Sequence, residues 1–133
     1  LMAPDIDAGV FKRDIAPALI TGENRVTLYA SRRDKALKVS AMLHGGQRLG
    51  DADPEIVMLP GMDSIDASDV ETDLLGHSYY GDARTVLADL FEVVRDKGAA
   101  QVRSALEEIA ASLGRFWRFR VPRVLVPESA ENQ

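Results

Sequence analysis

Val26-Thr27-Leu28-Tyr29-Ala30 is the segment that most limits what this chain can fold into. It lies between the polar turn Thr21-Gly22-Glu23-Asn24 and the charged stretch Arg32-Arg33-Asp34-Lys35. Its β-branched, aromatic and aliphatic residues favour a strand. They do not alternate with polar residues, as they would in a sheet with one wet face. The pattern therefore suits a strand covered on both faces in a parallel sheet. Residues 34–44 follow with Ala36, Leu37, Ser40, Ala41 and Leu43 near helical spacing, and Gly45-Gly46 stops that helix. Residues 47–60 form a loop that contains a short apolar run, and 62–67 predict a second strand. Strand–helix–strand–helix order argues for an α/β fold with parallel strands and flanking helices.

The flanking segments extend this pattern. Leu1-Met2-Ala3 reads as the last part of a strand that runs into the turn Pro4-Asp5-Ile6-Asp7. A short helix over 9–19 follows, interrupted by Pro17. Near the other end, residues 82–97 place Val86, Leu87, Leu90, Phe91 and Val94 on one helical face, and Gly98 ends the helix. Residues 99–113 predict another amphipathic helix through Val102, Ala105, Leu106, Ile109 and Leu113. Beyond it, 115–133 reads as a basic-aromatic tail carrying Phe116, Trp117 and Phe119, set apart from a body of 1–114.

Composition excludes several function classes. The 133 residues suffice for one domain with a sizeable core. Net charge is −5, which gives no electrostatic reason to expect nucleic acid or an anionic membrane as a partner. Cysteine is absent, which removes disulfides, thiol nucleophiles and thiolate metal sites. His44 and His77 are the only two histidines, so a multi-histidine metal site is not expected, and no cofactor is implied. No apolar run approaches the ~20 residues that span a bilayer. The first residues lack the features of a signal peptide and suggest a fragment of a longer chain. The compartment cannot be read from them.

Each readable strand leads into a loop with a potentially reactive group. Asp5 and Asp7 follow the first strand, Asp34 follows the second, and His77 lies in the loop after the third. In a parallel sheet these loops open at the carboxyl edge, where α/β folds place their sites. Asp34 lies four positions after Ala30, a reach suited to an acid held at a strand tip. Such an acid can fix the tautomer of a histidine.

These residues carry a resemblance. Ala3-Pro4-Asp5-Ile6-Asp7 with Val10-Phe11, the run Val26-Thr27-Leu28-Tyr29-Ala30-Ser31, and Asp34-Lys35-Ala36-Leu37 match it in order. Ser40, Arg48-Leu49-Gly50, Ile65-Asp66 and Gly76-His77-Ser78-Tyr79 continue it. Over roughly residues 3–97 the chain resembles bacterial α/β-hydrolases of unassigned function, related to serine esterases and lipases. The resemblance implies that Asp34 is the acid of a catalytic triad and His77 its base. In that fold the order is serine, acid, histidine, so the nucleophile would precede Leu1. The complete protein would then act on an ester, thioester or amide, and this chain alone would be inactive.

Simpler roles compete at each position. Asp34 can serve as the N-cap of the following helix, and a loop histidine such as His77 is often only hydrogen-bonded. Asp5 and Asp7 fit turn formation, although one of them is the second choice for the acid. His44 sits at a helix end, where a cation suits the macrodipole. Gly76-His77-Ser78-Tyr79-Tyr80 approaches the nucleophile elbow G-x-S-x-G, but bulky Tyr80 stands where a small residue is needed. The aromatic tail offers a reading from another class, a non-catalytic interaction module on a hydrolase-derived scaffold. A cut sheet would also expose edges and helix faces, so a homo-oligomer is expected, with Leu90, Phe91, Leu106 and Ile109 as contributors.

Overall fold

All five residues of β1 (Val26–Ala30) are buried, as a strand covered on both faces requires. The computed structural model describes residues 1–70 and 79–120. β1 pairs in parallel with β2 (Met62–Asp66), from Val26 opposite Met62 to Ala30 opposite Asp66. On its other side β1 meets the chain start. Met2 bridges Tyr29 in parallel, with Ala3 N–H donating to the Tyr29 carbonyl and Tyr29 N–H to that of Leu1, both at 2.9 Å. The strand character expected for Leu1-Met2-Ala3 is thus present as a short parallel pairing. The fold is α/β, with a four-stranded sheet in the order β1-β2-β4-β3.

Two cores follow from the period-two alternation of the strands. Val26, Leu28 and Ala30 point to one face, where they meet Phe11, Leu49, Ile56 and Val57. Tyr29 points to the other, with Ile65, Trp117 and Phe119. The first core is roofed by a short helical segment made of α1 (Ala8–Val10), a π-helical turn (Phe11–Ile15) and α2 (Ala16–Leu19). The break expected at Pro17 is mild. Pro17 falls in the first turn of α2, where its missing N–H costs least.

α3 (Lys35–His44) begins and ends as the sequence predicts, with Asp34 as N-cap and Gly45 at φ 70° as the stop. Gly50 answers to a different need. A Cβ there would lie 2.4 Å from the Ala3 backbone, and this close approach lets Gly50 N–H donate to the Pro4 carbonyl at 2.9 Å.

The C-terminal third departs from the sequence expectation. Residues 99–113 are not a helix. Only Ala100–Val102 turns, as a 3₁₀ segment, and β3 (Leu106–Ala111) then pairs antiparallel with β4 (Gly114–Phe119). Gly114 follows the tight Ser112-Leu113 turn with φ at 149°. The helical spacing was outweighed by long-range pairing, because β4 docks in parallel on β2 through Ile65–Trp117 and Asp66–Arg118. β4 spans residue 115. Trp117 and Phe119 are core residues, while Arg118 faces away and pairs with Glu107 at 2.6 Å.

α4 (Tyr79–Asp96) is helical as expected but turned about its axis. Val86 and Leu90 pack on the second core, and Asp89 is buried between them. Leu87, Phe91 and Val94, expected on the buried face, are exposed. Arg95 lies 4.8 Å from the centre of the Phe91 ring. No helix among the described residues is long and apolar enough to cross a membrane.

If β4 belongs to the core, Phe119→Ala should cost roughly 3–5 kcal/mol, the range for truncating a buried Phe. Urea unfolding would check this. A loss within about 0.5 kcal/mol would place Phe119 in a dispensable surface tail.

Candidate active site at the carboxyl edge of the sheet

Leu1-Met2-Ala3, β1, β2 and β4 are parallel, so their carboxyl ends share one edge. The loops after β1 and β2 are joined there. Arg32 N–H donates to Ser68 Oγ at 2.9 Å, and the Arg32 guanidinium reaches Asp66 Oδ2 at 2.8 Å. Ser68 N–H donates to Asp66 Oδ1 at 2.9 Å, and the Ser68 hydroxyl donates to the same oxygen. Asp66 and Ser68 are buried while Arg32 is exposed. The charge-assisted bonds satisfy the buried carboxylate and hold the two loops side by side.

Asp34 stands two residues beyond Arg32, partly buried. Its Oδ1 accepts from Leu37 N–H at 3.1 Å, so the capping role is real. Among the described residues Oδ2 accepts no hydrogen bond. His77 and Ser78 lie outside the described residues, which end on that side at Val70 and resume at Tyr79.

The other candidate acids are committed elsewhere. Asp5 Oδ1 accepts from Ser40 Oγ and from Arg48 Nε, both at 2.7 Å. The Ser40 hydroxyl, helped by the Arg48 guanidinium, holds the Asp5 carboxyl below its ordinary value. Asp7 caps α1 by accepting from Val10 N–H at 2.9 Å. His44 ends α3 with Nδ1 3.1 Å from the Ser40 carbonyl and 3.4 Å from Ser40 Oγ. Asp5, Ser40, His44 and Arg48 therefore tie α3 to the chain start, and Asp34 is not among them.

A second cluster escaped the sequence reading. Tyr29 Oη donates to Asp89 Oδ2 at 2.7 Å, and Arg103 Nη1 donates to the same oxygen at 3.0 Å. Asp89 and Arg103 are only 1% and 2% exposed. Burial pushes both the Tyr29 phenol and the Asp89 carboxyl up from their ordinary values. The one sequence signal was an acid, Asp89, standing beside apolar Val86 and Leu90 at core-facing helical spacing.

The parallel strands, their loops joined at the carboxyl edge and the helix after β1 make an α/β fold. Comparison with protein families identifies which one. Residues 1–95 match the family described as alpha/beta hydrolase of unknown function (DUF900). The chain belongs to that family. The match covers the chain start, β1, α3, β2 and most of α4, and stops before Arg103 and the β3–β4 hairpin. No curated protein and no solved structure matches the chain.

The Asp5 cluster yields a pH prediction. The folded carboxyl titrates below its ordinary 3.8. Its contribution to stability is therefore present above the unfolded pKa and lost as pH falls through the folded one. NMR titration should find the Asp5 pKa depressed, and Ser40→Ala should raise it. An unchanged Asp5 pKa in Ser40→Ala would show that the hydrogen bond is not its main cause.

Proposed function

We propose that this DUF900 chain supplies the acid and the histidine of a serine hydrolase that works through an acyl-enzyme. Asp34 orients His77, and His77 serves as general base and then general acid. The nucleophilic serine lies outside these 133 residues, which contain no G-x-S-x-G. The substrate is a small ester, thioester or amide.

One observation carries the reading. The Arg32–Ser68 and Arg32–Asp66 bonds fasten the loop of Asp34 beside the loop that leads from β2 toward His77. The loops that follow β1 and β2 thus leave the sheet from adjacent strands at one edge, where α/β folds place their sites. Asp34 also keeps one carboxylate oxygen clear of its helix cap. The competing reading, an interaction module that binds through its aromatic tail, loses support because Trp117 and Phe119 are buried.

The complete protein should be labelled by a fluorophosphonate serine probe, and His77→Ala should abolish labelling. Asp34→Asn separates the two roles of that residue. Asn caps a helix about as well as Asp, so stability should hold within roughly 0.5 kcal/mol. Ester turnover should nevertheless fall by roughly 10³–10⁴-fold, the loss expected when a histidine takes the wrong tautomer. Labelling that survives His77→Ala, or full turnover in Asp34→Asn, would overturn the triad.

Self-association is the second part of the proposal, and its contributors change. Leu106 is buried within the sheet and Leu90 packs on the core, so neither is available. Leu87, Phe91 and Val94 form an exposed apolar stripe on α4, and Met42 and Leu43 are exposed on α3. Light scattering of the 133-residue chain should give at least twice its 14.5 kDa. Phe91→Glu should lower that mass, whereas a wild-type monomer would end the idea.

A further inference from the structure

We infer that Tyr29, Asp89 and Arg103 are positioning residues that select which face of α4 meets the sheet, and so act on the hydrolase site through α4. The inference rests on the hydrolase reading for its functional half. α4 carries two apolar stripes, Val86-Leu90-Val93 and Leu87-Phe91-Val94. They are offset by one residue, which is about 100° around the helix. Apolar burial is non-directional and scales with area, so it offers little basis for choosing between them. The stripe left in solvent contains the larger Phe91. Area alone therefore does not explain the face that is buried.

The buried polar trio does. Asp89 lies one position before Leu90, on the packed side, and its Oδ2 takes the Tyr29 hydroxyl at 2.7 Å and the Arg103 guanidinium at 3.0 Å. Rotating α4 by one residue would remove Asp89 from both donors and leave the Arg103 charge buried without a partner, which is strongly unfavourable. The arrangement is not built for maximal stability. Among the described residues, Asp89 Oδ1 and Arg103 Nε and Nη2 are buried without hydrogen-bond partners, and apolar replacements of similar volume are often as stable or more so. What such a network provides is a unique orientation.

That orientation matters at the site because of the connections. Tyr29 is on β1, the strand that leads to Asp34, and His77 precedes the first residue of α4 by two positions. A 100° turn moves a backbone atom on a helix of ~2.3 Å radius by roughly 3.5 Å. Misplacement of a catalytic group by about 1 Å can already cost 10²-fold. Arg103 lies beyond the family match at residues 1–95, so the C-terminal hairpin region contributes to setting the site.

The test uses the complete protein with an apolar trio, Tyr29→Phe, Asp89→Leu and Arg103→Met. Two further versions carry a single cysteine reporter on α4, Val86→Cys or Leu87→Cys, with thiol labelling localised to the α4 peptide by mass spectrometry. With the native trio, position 87 should label readily and position 86 should be protected. In the apolar trio, labelling at 86 should rise at least tenfold, and fluorophosphonate labelling should slow by about 10²-fold while cooperative unfolding is retained. Should the trio variant fail to fold, Arg103→Met alone decides by the same two readouts. Unchanged protection at 86 would overturn the inference, and so would an altered register with unchanged serine labelling. Wild-type protein that takes up no serine probe would sink the hydrolase reading instead, and the thiol pattern would still decide the register.

Discussion

The parallel pairing of β1 with β2 is the constraint from which the rest of the structure follows. Both strands carry backbone groups that are cut off from water on both faces, so every amide needs a ladder partner. β1 obtains them from β2 on one side and from Leu1-Met2-Ala3 on the other. Once the pair is fixed, alternation sends Leu28 to one core and Tyr29 to the other. The helical segment 8–19 and the loop at 49–57 must then cover one face, and α4 with the aromatic residues of β4 the other. The carboxyl edge inherits the loops that follow β1 and β2.

The same pairing explains why polar groups are concentrated where they are. Ser64, buried in β2, donates to the Val57 carbonyl at 2.6 Å and holds the covering loop against the strand. Asp66, at the end of β2, is buried and answered by Arg32 and Ser68. These bonds add modest net stability individually, about 1 kcal/mol each. Their larger effect is geometric, because a buried carboxylate restricts where its donors can stand. Open α/β sheets place their sites at this edge, and in this chain the edge is braced by Arg32, Asp66 and Ser68.

Asp34 shows how a helix cap can use only half of a carboxylate. Its Oδ1 closes the first turn of α3, and this fixes the carboxylate at the mouth of the edge without consuming both oxygens. Asp5 makes the contrast. Its Oδ1 is taken by both Ser40 and Arg48, and these partners bind it into the scaffold between the chain start and α3. Sequence position alone ranked both as candidate acids, and the difference between them lies in their partners.

The sequence by itself determined the local elements whose signals are short-range. Those are β1 from its unbroken apolar composition, α3 from its periodicity between Asp34 and Gly45, β2 from its turn-bounded run, and the strand–helix order that makes an α/β sheet. The hydrolase family was legible there too, since several short motifs stand in order across residues 3–97. Tertiary structure decided what depends on partners distant in the chain. Residues 99–113 carry helix-like spacing, yet Leu106–Ala111 pairs in a hairpin with β4 because β2 offers a free edge to β4, and long-range hydrogen bonds outweigh weak local propensity. The rotation of α4 was likewise undecidable from its two apolar stripes. Hydrophobic periodicity specifies that a helix has a buried face, whereas only the directional bonds from Tyr29 and Arg103 to Asp89 specify which one.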